Sequence, residues 1–146
     1  MDIKKYSVIK TIKLILPWPP TVNSYYVSGK RGVYLSKKGR EFKWIVQQII
    51  GPRFGPVFSE EDRVTLWVNA YVPDERTRDI DNLGKAILDS LEGDFNKEKK
   101  TFHWGGLYKN DSQIDDFRIV RCEKDPEGKG YIEVSVRSGK EWSDDI

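Results

Sequence analysis

The segment Val64-Thr65-Leu66-Trp67-Val68-Asn69-Ala70-Tyr71-Val72 is rich in β-branched and aromatic residues and is stopped by Pro73. It reads as the strongest strand of the chain. After a polar loop at 74–78, Ile80, Leu83, Ile87, Leu88 and Leu91 recur at spacings of three and four. That period predicts a helix over 80–92, with Gly93 as its stop. Upstream, Ser36 suits a helix N-cap, and Phe42, Ile45, Val46, Ile49 and Ile50 form an apolar stripe over 37–50. Val33-Tyr34-Leu35 reads as a short strand and 21–32 as a loop or irregular hairpin. Residues 9–16 read as a further strand, ended by Pro17-Trp18-Pro19-Pro20.

Downstream, residues 93–106 are polar and glycine-containing, with the run Lys97-Glu98-Lys99-Lys100, and read as a mobile excursion. Asn110 or Asp111 suits the cap of a short turn. Residues 116–122 and 131–137 read as two strands joined in a hairpin through Asp125-Pro126-Glu127-Gly128. This order predicts one α/β (α+β) domain with a mixed sheet and two main helices. The domain spans 1–137, with the excursion at about 93–109, and 138–146 form a tail.

The 146 residues suit a single domain that needs no disulfide or metal staple. One cysteine, Cys122, excludes an internal disulfide and a multi-cysteine zinc site, and His103 as the one histidine excludes a histidine-rich metal site. No apolar run is long enough to span a membrane, and lysines at 10 and 13 interrupt the N-terminal apolar stretch. A cytoplasmic protein is expected. The net charge of +2 hides an asymmetry: residues 1–58 carry 11 bases and two acids, a balance of +9, and the remainder carries 14 bases and 21 acids, a balance of −7. A basic half beside an acidic half suits a polyanion-binding surface next to a cation site.

The acidic residues that matter lie at element boundaries. Asp79 and Asp81 fall where the strand has ended and the helix begins, and Lys85 follows one helical turn later. Two near carboxylates call for a neutralising cation, and oxygen-only ligands suit Mg2+ or Mn2+. Carboxylates with a lysine are the parts of metal-assisted phosphodiester cleavage. The same residues also suit a helix cap, a dipole partner and an ion pair. A second acidic cluster, Asn110-Asp111-Ser112-Gln113-Ile114-Asp115-Asp116, precedes the strand at 116–122. Among the aromatics, Trp18, Trp44 and Trp67 are expected to pack in the core or an interface, and His103 is expected at the surface.

Three blocks give the chain a resemblance to a known family. They are Leu16-Pro17-Trp18-Pro19-Pro20 with Asn23, Tyr25 and Tyr26; Arg78-Asp79-Ile80-Asp81-Asn82-Leu83 with Lys85 and Asp89; and Asn110-Asp111-Ser112-Gln113 with Asp116 and Arg118. In this order they resemble the RusA-type Holliday-junction resolvases, over about residues 12–137. The resemblance implies a Mg2+-dependent, homodimeric endonuclease that nicks branched DNA in symmetric pairs during recombination and repair. It implies catalytic roles for Asp79, Asp81, Asp111 and Lys85, metal ligation by the three aspartates with Asn110 at the edge of the shell, and DNA positioning by Arg78, with neighbouring Arg76 a further candidate outside the family block. Lys30, Arg31, Lys37, Lys38 and Arg40 are then candidates for phosphate contact. The family often has two consecutive acids where this chain has Asn110-Asp111, and a shorter stretch before them. The same parts would serve a nuclease for other branched or single-stranded DNA, or a catalytically weak junction-binding protein.

Overall fold

The computed structural model describes residues 10–138. In chain order the strands are β1 (Thr11–Pro17), β2 (Tyr26–Gly29), β3 (Gly32–Leu35), β4 (Val64–Tyr71), β5 (Asp94–Asn96), β6 (Thr101–Trp104), β7 (Ile114–Cys122) and β8 (Tyr131–Ser138). The helices are α1 (Val22–Tyr25), α2 (Lys37–Ile50) and α3 (Gly84–Leu91). The expected start of the first strand at Ile9 and the tail at 139–146 lie outside the described residues, and Ser138 belongs to β8.

Four strands form a mixed sheet in the order β1-β8-β4-β7, with β4 parallel to β7 and antiparallel to β8. The strand read first lies inside this sheet because alternate side chains fit it. Val64, Leu66, Val68 and Ala70 are buried, whereas Trp67 and Asn69 face outward. On β8, Ile132, Val134 and Val136 repeat the pattern. The core cluster joins these residues to Phe42 and Val46 of α2 and to Ala86, Ile87 and Leu91 of α3. Ser36 caps α2 as expected, its side chain accepting from the Gly39 amide at 2.9 Å.

Several expectations change. β7 and β8 are not a hairpin, because β4 lies between them. Their connection crosses the end of β4, where the Asp125 amide donates to the Val72 carbonyl at 2.8 Å. Asp125 then gathers the amides of Glu127, Lys129 and Gly130 and closes the loop. The helix expected over 80–92 opens as a 3-10 turn at Ile80–Leu83 and ends at Leu91, with Glu92 extended. Gly93 is therefore not its left-handed stop. A Cβ at Gly93 would lie 2.3 Å from the Gly105 carbonyl oxygen, so this position lets two backbones meet.

The 93–106 segment is a built hairpin. Phe95 of β5 and Phe102 of β6 have ring centroids 4.9 Å apart, and Lys109 Nζ lies 4.1 Å above the Phe95 ring. Trp104 is buried and its indole donates to the Gly51 carbonyl at 2.9 Å. Residues 105–108 then run between the 53–58 loop and the end of α3, bonded to both sides. Trp18 packs against the core, whereas Trp44 and Trp67 are outside it and partly exposed. Arg118 covers Trp67 at 4.5 Å, and His103 is exposed as expected.

Candidate active site

The loop after β4 is shaped by Asp74. Its carboxylate accepts from Arg78 at 2.5 and 2.8 Å and from the Arg76 guanidinium and amide. The two guanidinium groups hold the Asp74 carboxyl well below the usual carboxylate range. Arg121 of β7 donates to the Arg78 carbonyl and ties this loop to the sheet. Arg78 is thus half-buried and engaged, and Arg76 is exposed. Sequence spacing places Asp74 four residues before Arg78, and that signal could have revealed the clamp.

Asp79 and Asp81 follow on the 3-10 turn, both exposed. Asp79 borders a cavity of about 320 Å³ with Trp18, Thr21, Thr77 and Asn82. From Asp81, the spacings of four, four and three carry one helix face through Lys85, Asp89 and Glu92. Lys85 is exposed. Asp89 accepts from the Tyr25 hydroxyl and lies 3.7 Å from Lys43 Nζ of α2. Burial, with Asp89 beside it, pushes the Tyr25 phenol far above its ordinary value.

At the other end of α3 stands Asp111. Asn110 and Gln113 form a capping box, with Asn110 Oδ1 accepting from the Ser112 amide at 2.9 Å. The side-chain oxygen expected at a metal-shell edge is therefore already used as a cap. Gln113 is buried, and its amide group donates to the carbonyls of Ser59 and Asp62. The Asp111 amide donates to Glu92 Oε1 at 2.9 Å, so the last residue of the charged row holds the loop carrying Asp111. Burial raises the Glu92 carboxyl, opposed by the Asp111 amide and supported by the charges of Asp111 and Asp89. Burial also raises the phenols of Tyr26 and Tyr108, and the same acids add to it. Sequence reading missed Glu92, although its place on the Lys85–Asp89 face was legible.

The aspartates divide by engagement. Asp62, Asp74, Asp89, Asp115, Asp116 and Asp125 bond to arginine, lysine, tyrosine or backbone amides. Among the described residues, the side chains of Asp79, Asp81, Asp94 and Asp111 have no hydrogen-bond or ion-pair partner, and neither has Lys85; Asp94 lies on β5. Free carboxylates such as those of Asp79, Asp81 and Asp111 are oxygen donors of the kind a hard divalent cation takes. The eight residues of α3, about 12 Å of rise, separate the Asp79–Asp81 end from Asp111. Accordingly, no three acidic, histidine or cysteine side chains form a metal cage within the described residues of one chain.

The basic candidates lie on one region. Lys30 and Arg31 make the turn between β2 and β3, and Lys37, Lys38 and Arg40 occupy the first turn of α2; all five are exposed. That first turn has no acidic residue, the reverse of what a helix N-terminus favours.

Residues 17–137 match the family model described as Endodeoxyribonuclease RusA. A crossover junction endodeoxyribonuclease of Enterobacteria phage HK97 is 36% identical over 123 residues, covering 84% of this chain and 92% of that protein. The crossover junction endodeoxyribonuclease RusA of Escherichia coli strain K12 is 29% identical over 113 residues, 77% of this chain and 84% of that one. The protein of that name from Enterobacteria phage 82 gives the same identity and coverage. No helix among the described residues is long and apolar enough to cross a membrane.

Proposed function

The chain belongs to the RusA family of endodeoxyribonucleases, and from that premise we propose that it resolves four-way DNA junctions by paired, symmetric, Mg2+-dependent nicks. The observation that carries the reading is the pair of unengaged carboxylates, Asp79 and Asp81, at the start of a helix with unengaged Lys85 one turn on. Asp79 and Asp81 hold the cation, and Asp111 completes the oxygen set with Asn110 beside it. One chain keeps these two groups a helix length apart, so the set closes when two chains meet about a two-fold axis. That symmetry also matches two cuts on related strands.

When bound, Mg2+, or Mn2+ in its place, polarises the scissile phosphate and makes water a better nucleophile at neutral pH. Lys85 places its ammonium against the charge that grows on the phosphate oxygens. Water adds to phosphorus in line as the P–O3′ bond breaks, leaving a 5′-phosphate and a protonated 3′-hydroxyl. Arg78, held by Asp74, presents a fixed cation beside the site, and Arg76 a more mobile one. Lys30, Arg31, Lys37, Lys38 and Arg40 bind the backbone phosphates, and the α2 N-terminus favours the same charge.

The test is a synthetic four-way junction in Mg2+ against EDTA, with products mapped on all four strands beside flap and single-stranded controls. Paired nicks on opposing strands in Mg2+ support the reading. Faster cutting of flaps or single strands, or equally tight binding in EDTA with no turnover in Mg2+, overturns it.

A further inference from the structure

The ribbon formed by β2 and β3 buries neither face beyond its base. Its pairs are Tyr26↔Leu35, Val27↔Tyr34, Ser28↔Val33 and Gly29↔Gly32, closed by the turn Lys30-Arg31. Every residue from Val27 to Tyr34 is exposed, including Val27 at 38%, Val33 at 68% and Tyr34 at 56%. An antiparallel pair ordinarily packs one face on a core, and a lone two-stranded unit is marginal in water. Apolar side chains on both faces of such an arm mark a surface that is covered in use.

We propose that this ribbon is a wedge that enters the open centre of branched DNA and stacks Tyr34 on a base exposed there. The inference rests on the branched-DNA reading above and adds to it the element that distinguishes a junction from duplex. Tyr34 is held for stacking. Its ring lies across Gly29 of the paired strand, where a Cβ would come within 2.5 Å of Tyr34 Cε1. The backbone thus backs one ring face, and the ring is ordered before any base meets the other.

Charge identifies the occupant. From Thr21 to Arg40 the chain has five lysines or arginines and no acid. A second copy of this surface would repel it, whereas phosphates attract it. The side chains identify the mode. A ribbon that reads base edges in a major groove lines its strands with arginine, asparagine or glutamine; the strands of this one present valine, serine and tyrosine, suited to insertion and stacking, and its basic residues Lys30 and Arg31 are confined to the turn. Position agrees with both. The base of the ribbon adjoins α3, where the Tyr25 hydroxyl donates to Asp89 on the charged face that runs from Lys85 to Glu92. Ser36 fixes it to α2, its amide donating to the Tyr25 carbonyl and its hydroxyl to that of Ser24. Four residues of strand reach about 14 Å beyond that anchor. In continuous duplex the wedge must first unstack bases, whereas a branch point is already open.

The experiment uses the whole protein in EDTA with a four-way junction and with duplex of the same sequence. Permanganate reactivity of branch-point thymines is measured together with the junction-to-duplex affinity ratio. Wild-type protein raises thymine reactivity. Tyr34→Ala loses most of that rise and narrows the affinity ratio about tenfold, and Tyr34→Phe keeps both. Should Tyr34→Ala melt early, Val33→Ser carries the same expectation. Unchanged reactivity and ratio in a folded variant overturn the wedge. So does a change of oligomeric state in sedimentation, which would assign the ribbon to self-association. A wild-type protein that neither prefers nor cleaves junctions overturns the function itself; one that does both, beside an inert Tyr34→Ala, overturns the wedge alone.

Discussion

Gly105→Ala is expected to destabilise the protein strongly even though it adds one methyl group. Gly105 lies where residues 105–108 pass between the 53–58 loop and the end of α3. An added Cβ would stand 2.1 Å from the Gly55 carbonyl oxygen, 2.3 Å from its carbon and 2.8 Å from its Cα. Carbon contacts are comfortable at about 3.5–4.0 Å, so one backbone must withdraw by more than an ångström. Neither segment is a flexible side-chain end that can swing aside. Overpacking costs about 1–3 kcal/mol. The shift also strains the bonds from the Gly105 amide to the Arg53 carbonyl, 3.0 Å, and from the Val57 amide to the Gly106 carbonyl, 3.2 Å. At about 1 kcal/mol each, the total is about 3–5 kcal/mol, or a fall in Tm of about 10–15 °C for a domain of this size. Circular dichroism melts measure it. Gly55→Ala is the control, because a Cβ there meets nothing within 4 Å, and its Tm should stay within about 2 °C of wild type. Because Asp111 follows on the same segment, junction cleavage by Gly105→Ala should also fall at temperatures where the variant is folded. A Gly105→Ala melt within about 3 °C of wild type would refute the close-packed threading of 105–108.

Three further outcomes are expected. Glu92→Ala frees the Asp111 amide and should cut junction cleavage by about tenfold or more, whereas Glu92→Gln keeps an acceptor and should retain most activity; equal losses would contradict the positioning role. The amides of Glu127, Gly130 and Lys129 hold the folded Asp125 carboxyl below its unfolded value. Its contribution to stability is therefore full above about pH 4 and lost as pH falls through the lowered folded value. The Tm gap between wild type and Asp125→Asn should close on acidification, and a gap that widens would contradict the assignment. Lys85→Ala should form the proposed dimer and bind junctions but lose most cleavage. Mixed dimers with wild type should nick one strand without resolving the junction, as denaturing gels of end-labelled strands would show.

The strand of β4 and the stripe that became α3 were legible because one packing partner, the core, selects alternate and three-or-four spacings. The pairing of β7 with β4 was not, since neighbouring strands in sequence invite a hairpin and nothing local marks β4 as the strand between them. The 93–109 hairpin was hidden for a different reason. Trp104, Leu107 and Tyr108 are buried and Phe95 and Phe102 half-buried at no regular period, and the glycines that permit close backbone contact read as loop. In the candidate site, Asp79, Asp81 and Lys85 drew notice by residue type at an element boundary, and Asp111 was singled out within its acidic cluster only by the family resemblance. The position of Glu92 on the Lys85–Asp89 face was legible but its contact was not, because that contact is with a backbone amide 19 residues away. The capping role of Asn110 was foreseen and its cost was not: a side-chain oxygen that holds the Ser112 amide is less free for a metal.

Asp81→Asn, assayed beside wild type for binding and for Mg2+-dependent cleavage of one four-way junction, tests the proposed metal site most directly. The substitution keeps the shape of the side chain, removes a charged ligand and lessens repulsion of DNA. Junction binding should stay equal or tighten while paired nicking disappears, in Mg2+ and in Mn2+. Nicking by Asp81→Asn at the wild-type rate would contradict the placement of the cation at Asp79 and Asp81.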